Sequence, residues 1–99
     1  MAVLSDDEIR DRLQAHADWD FRNDALHRGF ELPRFMEVVR LVNDVAGPAE
    51  ESDHRPDMTI NHRRITFALP TRNQGGVTEK DFALLEAIEV ADATSLPEG

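Results

Sequence analysis

The sequence predicts an α+β domain in which three helices cover one face of a four-stranded antiparallel sheet, in the order α-β-β-α-β-β-α. Short strand patterns occur in two pairs, and each pair lies between segments with helical features. Hairpins grouped in this way favour an antiparallel sheet with its helices on one side. The chain length also supports this prediction, because 99 residues are enough to form one hydrophobic core but not two. We therefore expect residues 1–99 to form a single domain.

The first helix is predicted by its N-terminal cap. Ser5 is followed three residues later by Glu8, which is the pattern of a capping box, and acidic residues suit the first turn of a helix. We expect this helix to run to about His16. Because a cation is favoured near the C-terminal end of a helix, His16 is predicted to lie at the surface.

A hairpin is predicted to follow. Residues 19–22 alternate apolar and polar side chains, Asn23 and Asp24 form a turn pair, and residues 25–32 supply the second strand. His27 is expected on a face of that strand.

The central helix has the clearest periodicity in the chain. Pro33 is well placed to begin it, and apolar residues then recur at helical spacing. The predicted apolar stripe consists of Phe35, Val38, Val39, Val42 and Ala46. We expect Gly47 and Pro48 to kink the helix or make it restart, because a proline lacks the amide donor and crowds the carbonyl of Asp44.

The second half of the chain predicts another hairpin and a last helix. Residues 58–62 and 65–69 have strand patterns, and Ile65, Phe67 and Leu69 share one face of the second strand. Residues 70–76 form a loop, in which Gly75-Gly76 is expected to provide a turn with positive φ. Thr78 is predicted to cap the last helix, and residues 95–99 form a polar tail. The apolar side of that helix includes Phe82, Leu85 and Ile88.

Composition excludes several classes of function. With 20 acidic and 11 basic residues the formal charge is −9, which argues against direct contact with nucleic acid or with an anionic membrane surface. There is no cysteine, so neither a disulfide nor a thiolate metal site is available. No apolar run approaches membrane length. We expect a soluble, cytoplasmic protein.

The segment of residues 50–57, EESDHRPD, gathers acids, a histidine and an arginine around a proline. In the plainest interpretation Ser52 or Asp53 ends the central helix, Pro56 prevents its continuation, and His54 points to water. In another, an acid beside His54 orients its ring for proton transfer.

A metal site is the third interpretation of this segment. Asp53, His54 and Asp57, together with His62, have suitable ligand atoms. Because there is no histidine pair at helical spacing and no cysteine pair, we expect no metal.

Two runs resemble a known family. "AEESDHRPD" and the later "ITFALPTRNQGGVTEKD" are similar to the corresponding segments of the pterin-4a-carbinolamine dehydratases, and the resemblance extends over nearly the whole chain, including Trp19. The residues that match the family pattern are Glu50, Asp53, His54, Pro56, Gly75, Gly76, Thr78, Glu79 and Asp81. The resemblance implies dehydration of a 4a-hydroxytetrahydropterin to the quinonoid dihydropterin, without a metal. A pterin would then be the substrate, and no cofactor is expected.

The departures from the family pattern fall on its proton-transfer positions. Arg55 stands where the family has its second histidine, and Arg72 where it has its third. Met58 and His62 replace aromatic residues of the intervening strand. An arginine stays protonated and cannot act as a base. We therefore expect the dehydratase activity to be weak or lost.

Three hypotheses remain open, and we rank a loss or change of the dehydratase activity above its retention. The first is a slow dehydratase, with His54 as the acid-base group and Glu50, Asp53 and Asp81 orienting it or the substrate. The second is a binding or assembly protein that keeps the fold and acts through a protein partner. The third is a pocket for an anionic small molecule. The candidate ligand-binding residues are Arg55, Pro56, Arg72 and His62. In each case an open sheet edge or apolar helix face predicts a dimer or tetramer.

Overall fold

The helices and strands alternate along the chain in the predicted order. The structure, a computed structural model, describes residues 3–70 and 75–95, with residues 94 and 95 described by their backbone only. Within that part of the chain the elements are α1 (Asp6–Leu13), β1 (Asp20–Arg22), β2 (Ala25–Glu31), α2 (Phe35–Glu51), β3 (Asp57–Asn61), β4 (Arg64–Pro70) and α3 (Glu79–Ser95). The predicted α+β class and the order α-β-β-α-β-β-α are confirmed.

The four strands form one antiparallel sheet in the order β1-β2-β4-β3. Strand β4 is therefore central, and β3 lies at one edge. Ile65, Phe67 and Leu69 of β4 are buried against the helices, as their alternation predicted. Phe67 also meets Phe30 of β2 edge to face, with ring centroids 5.7 Å apart. One hydrophobic core between this face of the sheet and the helices holds the described residues together.

The first helix begins as predicted and ends early. Ser5 and Glu8 form the capping box, with the Ser5 N–H donating to Glu8 Oε1 at 2.9 Å and the Glu8 N–H to Ser5 Oγ at 3.1 Å. The helix ends at Leu13 rather than near His16, because the next amides donate to carbonyls three residues back instead of four.

The prediction that His16 lies at the surface was wrong. Its side chain is only 16% exposed, and Nδ1 lies 3.0 Å from Oε1 of Glu89 on α3. The ring also packs near Phe82, at 6.4 Å between centroids. The prediction considered only the helix dipole, whereas an acidic side chain from the far end of the sequence determines where the imidazole lies.

Helix α2 runs without interruption through Gly47 and Pro48, so the predicted restart does not occur. It begins at Phe35 with Arg34 as its N-cap, rather than at Pro33. Pro48 is followed by only one more turn of helix, and its missing amide costs one hydrogen bond near the end of α2.

The buried side of α2 is rotated relative to the predicted stripe. Of the five predicted positions only Val38 is fully buried, whereas Phe35 is 54% exposed and Ala46 also faces outward. The residues that α2 buries are Glu37, Val38, Leu41, Val45 and Ala49. The helix thus carries two adjacent apolar strips, about a quarter turn apart, and periodicity alone could not show which one meets the core.

None of the helices formed by the described residues is both long enough and apolar enough to span a membrane.

The capping box makes the stability of α1 depend on pH. Accepting the Ser5 N–H holds the pKa of Glu8 below its ordinary value of about 4.5. A carboxylate with a lowered pKa stabilises the fold above its ordinary pKa, and that contribution is lost as the pH falls through the lowered value. We therefore expect Glu8→Gln to lower the free energy of unfolding at about pH 7, and this difference should shrink as the pH falls below about 4.5, as measured by urea denaturation.

The matched control is Glu51→Gln. Glu51 is the last residue of α2, where the helix dipole disfavours an anion, so this variant should not be less stable than the wild type. If Glu8→Gln and Glu51→Gln lower the free energy of unfolding by the same amount, the proposed role of the capping box is wrong.

Candidate functional site

The segment EESDHRPD ends α2 and leads into β3. Ser52 is the C-cap, and the next two amides turn back onto the helix: Asp53 N–H donates to Glu50 O at 3.1 Å and His54 N–H donates to Ala49 O at 3.0 Å. This is the Schellman arrangement, in which the residue after the cap adopts the left-handed conformation. Asp53 occupies that position with φ 53°. The backbone of His54 is therefore fixed directly by the end of the helix.

The ring of His54 is held by a buried carboxylate on the next helix. His54 Nε2 lies 2.5 Å from Asp81 Oδ1, and the side chains of His54 and Asp81 are 12% and 0% exposed. The other oxygen of Asp81 accepts the N–H of Thr78 at 2.9 Å. Because an ionised carboxylate only accepts hydrogen bonds, Nε2 is the donor in this pair. Asp81 thus both caps the start of α3 and sets the tautomer of the imidazole.

The loop before α3 is fastened by the N-terminal segment. Val3 forms a bridge with Thr78, and Leu4 N–H donates to Val77 O at 2.8 Å. The prediction of a positive φ is confirmed for Gly75, at 76°. Gly76 has a different role: a Cβ there would collide with Cγ1 of Val3, so that side chain would have to move. Sequence reasoning missed this contact, since Val3 lies more than seventy positions earlier and carries no motif.

Arg55 forms ion pairs with the two other acids that were predicted for the site. Its Nε donates to Glu50 Oε1 at 3.1 Å, and one terminal nitrogen donates to Asp53 Oδ1 at 3.1 Å. The hydrogen bond to Glu50, followed by its charge and by Asp53, raises the pKa of the guanidinium. All three side chains are largely exposed, at 57% for Arg55. Asp81, rather than Glu50 or Asp53, is the carboxylate that the described contacts place on the ring of His54.

The remaining candidates are separated from His54 or lie outside the described residues. His62 is exposed in the turn between β3 and β4, with φ 57°, at the end of β3 opposite to the His54 turn. It borders a cavity of about 180 Å³ beside Arg63 and Arg64. Pro56 is buried just before β3. Arg72 lies outside the described residues.

Within residues 3–70 and 75–95, no three histidine or acidic side chains lie close enough together to hold a metal ion. Asp53, His54 and Asp57 are near in sequence, but the contacts above engage Asp53 with Arg55 and the ring of His54 with Asp81. The described geometry is that of an imidazole oriented by a carboxylate, and it suits proton transfer.

Comparison with known proteins gives one consistent result. The family model described as "Pterin 4 alpha carbinolamine dehydratase" matches residues 2–91. A Mycobacterium protein (strain KMS) named "Putative pterin-4-alpha-carbinolamine dehydratase" is 39% identical over 90% of this chain and 95% of its own length. The crystal structure of a transcriptional coactivator/pterin dehydratase from Brucella melitensis is 25% identical, has a TM-score of 0.86, and is matched over 92% of this chain and 99% of that one.

A second solved structure is more distant. A pterin dehydratase-like protein identified as a RuBisCO assembly factor of the alpha-carboxysome has a TM-score of 0.62 and 12% identity. The match covers 75% of this chain and 86% of that one. At this identity the likeness is one of fold alone.

The close approach of Val3 to Gly76 can be tested by a double substitution. Gly76→Ala should lower the free energy of unfolding by about 1–3 kcal/mol, since the new methyl group overpacks the contact. When residue 3 is alanine, Gly76→Ala should lower the free energy of unfolding by less. The only side-chain carbon left at position 3 is then Cβ, which lies 3.5 Å from the added methyl group, an ordinary van der Waals distance. Urea denaturation of the four proteins of this cycle measures the coupling.

Gly47→Ala is the matched control. Gly47 is an exposed helical residue with nothing within 4 Å of an added Cβ, so alanine should stabilise the protein by about 0.5–1 kcal/mol. If the effect of Gly76→Ala is the same with Val3 and with alanine at position 3, the steric explanation is wrong.

Proposed function

The chain belongs to the pterin 4 alpha carbinolamine dehydratase family, and from that premise we propose that it is a slow, metal-independent hydro-lyase acting on a 4a-hydroxytetrahydropterin. The contact of His54 with the buried Asp81 is the observation that supports this most directly. Asp81 accepts from Nε2 and orients the ring, so the imidazole of His54 is the group that would exchange a proton with the substrate.

The reaction needs no net proton from the protein. A proton leaves a ring nitrogen of the substrate, and the hydroxyl at C4a departs as water after it receives a proton. A base that takes the first proton can therefore deliver it to the hydroxyl. One imidazole is sufficient for this balance, provided that it reaches both positions in turn. The pterin is a substrate here, so the proposal requires no cofactor.

The rate is expected to be low because the other two proton-transfer positions hold arginines. A positioned acid or base contributes a factor of about 10² to 10⁴. Arg55 and Arg72 can donate hydrogen bonds but cannot accept a proton. With a single imidazole, deprotonation and protonation must take place one after the other.

A pocket for an anionic small molecule has less support than this reaction. The guanidinium of Arg55 already binds two carboxylates, those of Glu50 and Asp53. An anion at Arg55 would have to displace at least one of them. The contribution of Arg72 depends on residues that the structure does not describe.

A binding or assembly role, our second proposal, is supported by the apolar surface around β3. All residues of this edge strand are exposed, and Met58 and Ile60 are 39% and 44% exposed although they lie on the same face of the sheet as Phe67 and Ile65. Phe35 and Met36 at the start of α2 are also more than half exposed. Exposed apolar side chains at these two places fit a dimer or tetramer of this chain or a protein partner.

Loss of the imidazole should abolish the activity. His54→Gln is expected to lower kcat/KM for dehydration of a 4a-hydroxytetrahydropterin by about 10²–10⁴-fold, because no other described histidine shares its contact with Asp81. The rate is measured by following the pterin absorbance. His27→Gln is the matched control, since His27 lies on β2 and bonds the carbonyl of Arg22.

Wild-type protein that does not accelerate the dehydration above the buffer rate would contradict the enzyme proposal. The binding or assembly role would then be favoured.

Restoring the missing imidazoles should raise the rate. The double variant Arg55→His/Arg72→His is expected to have a kcat about tenfold or more above that of Arg55→Gln/Arg72→Gln, which also lacks both guanidinium groups, because separate imidazoles could then remove and deliver the protons. Arg63→His/Arg64→His makes the same chemical change in the β3–β4 hairpin and should leave kcat unchanged. If the first variant gives no increase, the missing histidines are not what limits turnover.

A further inference from the structure

The turn that presents His54 carries an unusual residue at its critical position. In a Schellman turn the residue with positive φ is most often glycine, because a Cβ is unfavourable there. This chain has Asp53 at that position, with φ 53°. Aspartate tolerates the left-handed conformation better than most residues, yet it is still less favourable than glycine. A local interaction of the Asp53 side chain can offset part of this cost.

That interaction is the ion pair with Arg55. One terminal nitrogen of the guanidinium donates to Asp53 Oδ1 at 3.1 Å. Nε and the other terminal nitrogen lie 3.1 and 3.0 Å from Glu50 Oε1, in the last turn of α2. The planar fork of arginine suits contact with two carboxylates at once. Arg55 thus connects Glu50, in the last turn of α2, to Asp53, which directly follows the C-cap.

The neighbours of Arg55 are themselves fixed. On one side His54 donates its backbone N–H to Ala49 O at 3.0 Å, and on the other side Pro56 is buried and restricted in φ. The Ser52 hydroxyl donates to Pro48 O at 2.9 Å and closes the same turn. A movement of Asp53 would carry the backbone of His54 with it and shift the imidazole relative to Asp81.

We propose that Arg55 is a positioning residue, which clasps Glu50 and Asp53 across the left-handed turn and thereby holds the imidazole of His54 against Asp81. Its consequence for catalysis rests on the proposed function, whereas its structural effect does not. The clasp also occupies Glu50 and Asp53, so that Asp81 remains as the carboxylate that acts on His54. Compared with a histidine at this position, Arg55 cannot transfer a proton, but it makes the turn more rigid.

Hydrogen exchange tests the clasp without a substrate. In Arg55→Gln the amide of His54 should exchange about two- to fivefold faster than in the wild type, the range expected when exposed ion pairs are lost. Arg55→Lys keeps the charge without the fork and should give an intermediate rate. High salt should accelerate exchange in the wild type and have little effect in Arg55→Gln. The matched control is Arg63→Gln, which removes an exposed ion pair with Glu31 and should leave the His54 amide unchanged.

A double substitution isolates the part played by Asp53. Asp53→Gly relieves the backbone cost and removes one end of the clasp, so Arg55→Gln should have a smaller effect in that background. If the protection of the His54 amide is the same in the wild type and in Arg55→Gln, the clasp is refuted, whatever the activity of the protein.

Steady-state kinetics of Arg55→Gln test the consequence of the clasp for catalysis. Arg55→Gln should lower kcat with little change in KM, since the clasp orients His54 and does not bind the substrate. Faster exchange in a protein that has no dehydratase activity would uphold the clasp and reject the enzyme proposal. If the His54 amide exchanges at the same rate in Arg55→Gln as in the wild type, and the wild type has dehydratase activity, the clasp is rejected and the enzyme proposal is upheld.

Discussion

The buried carboxylate of Asp81 is the constraint on which the site depends. A carboxylate without solvent contact is costly unless its oxygens are hydrogen-bonded. In this chain one oxygen accepts the Thr78 amide at the start of α3, and the other accepts Nε2 of His54 at the end of α2. Asp81 therefore caps a helix, contacts a histidine 27 positions earlier in the chain, and accepts a hydrogen bond from Nε2 of that imidazole.

The features that sequence predicted correctly are those that depend on neighbouring residues. The capping box of α1, the turn at Asn23-Asp24, the end of α2 at Ser52 and the alternation in β4 all follow from contacts within a few positions. The resemblance of two motifs then supplied the family and drew attention to His54 and Asp81. Their contact at 2.5 Å is a long-range fact that only the folded chain shows.

The features that sequence missed depend on distant packing. His16 contacts Glu89, 73 positions away, and a Cβ at Gly76 would collide with the side chain of Val3. The core-facing side of α2 could not be chosen because two apolar strips of similar width adjoin on that helix. Glu37 is the plainest case: a charged residue in a helical pattern is expected in solvent, yet it is fully buried and pairs with Arg34 and Arg40.

The turn around His54 shows how a change at one position alters the chemistry of its neighbours. An imidazole at position 55 could exchange protons, and the acids at positions 50 and 53 could then influence it. A guanidinium exchanges none, but it binds both acids and fixes the left-handed turn between them. Under the proposed function the dehydration needs no net proton, so the replacement of imidazoles would remove parallel routes for the proton rather than the reaction itself. Among the described residues His54 is the histidine that contacts Asp81, and under the proposed function the precision with which the turn holds it would set how well a single group can serve as base and then as acid.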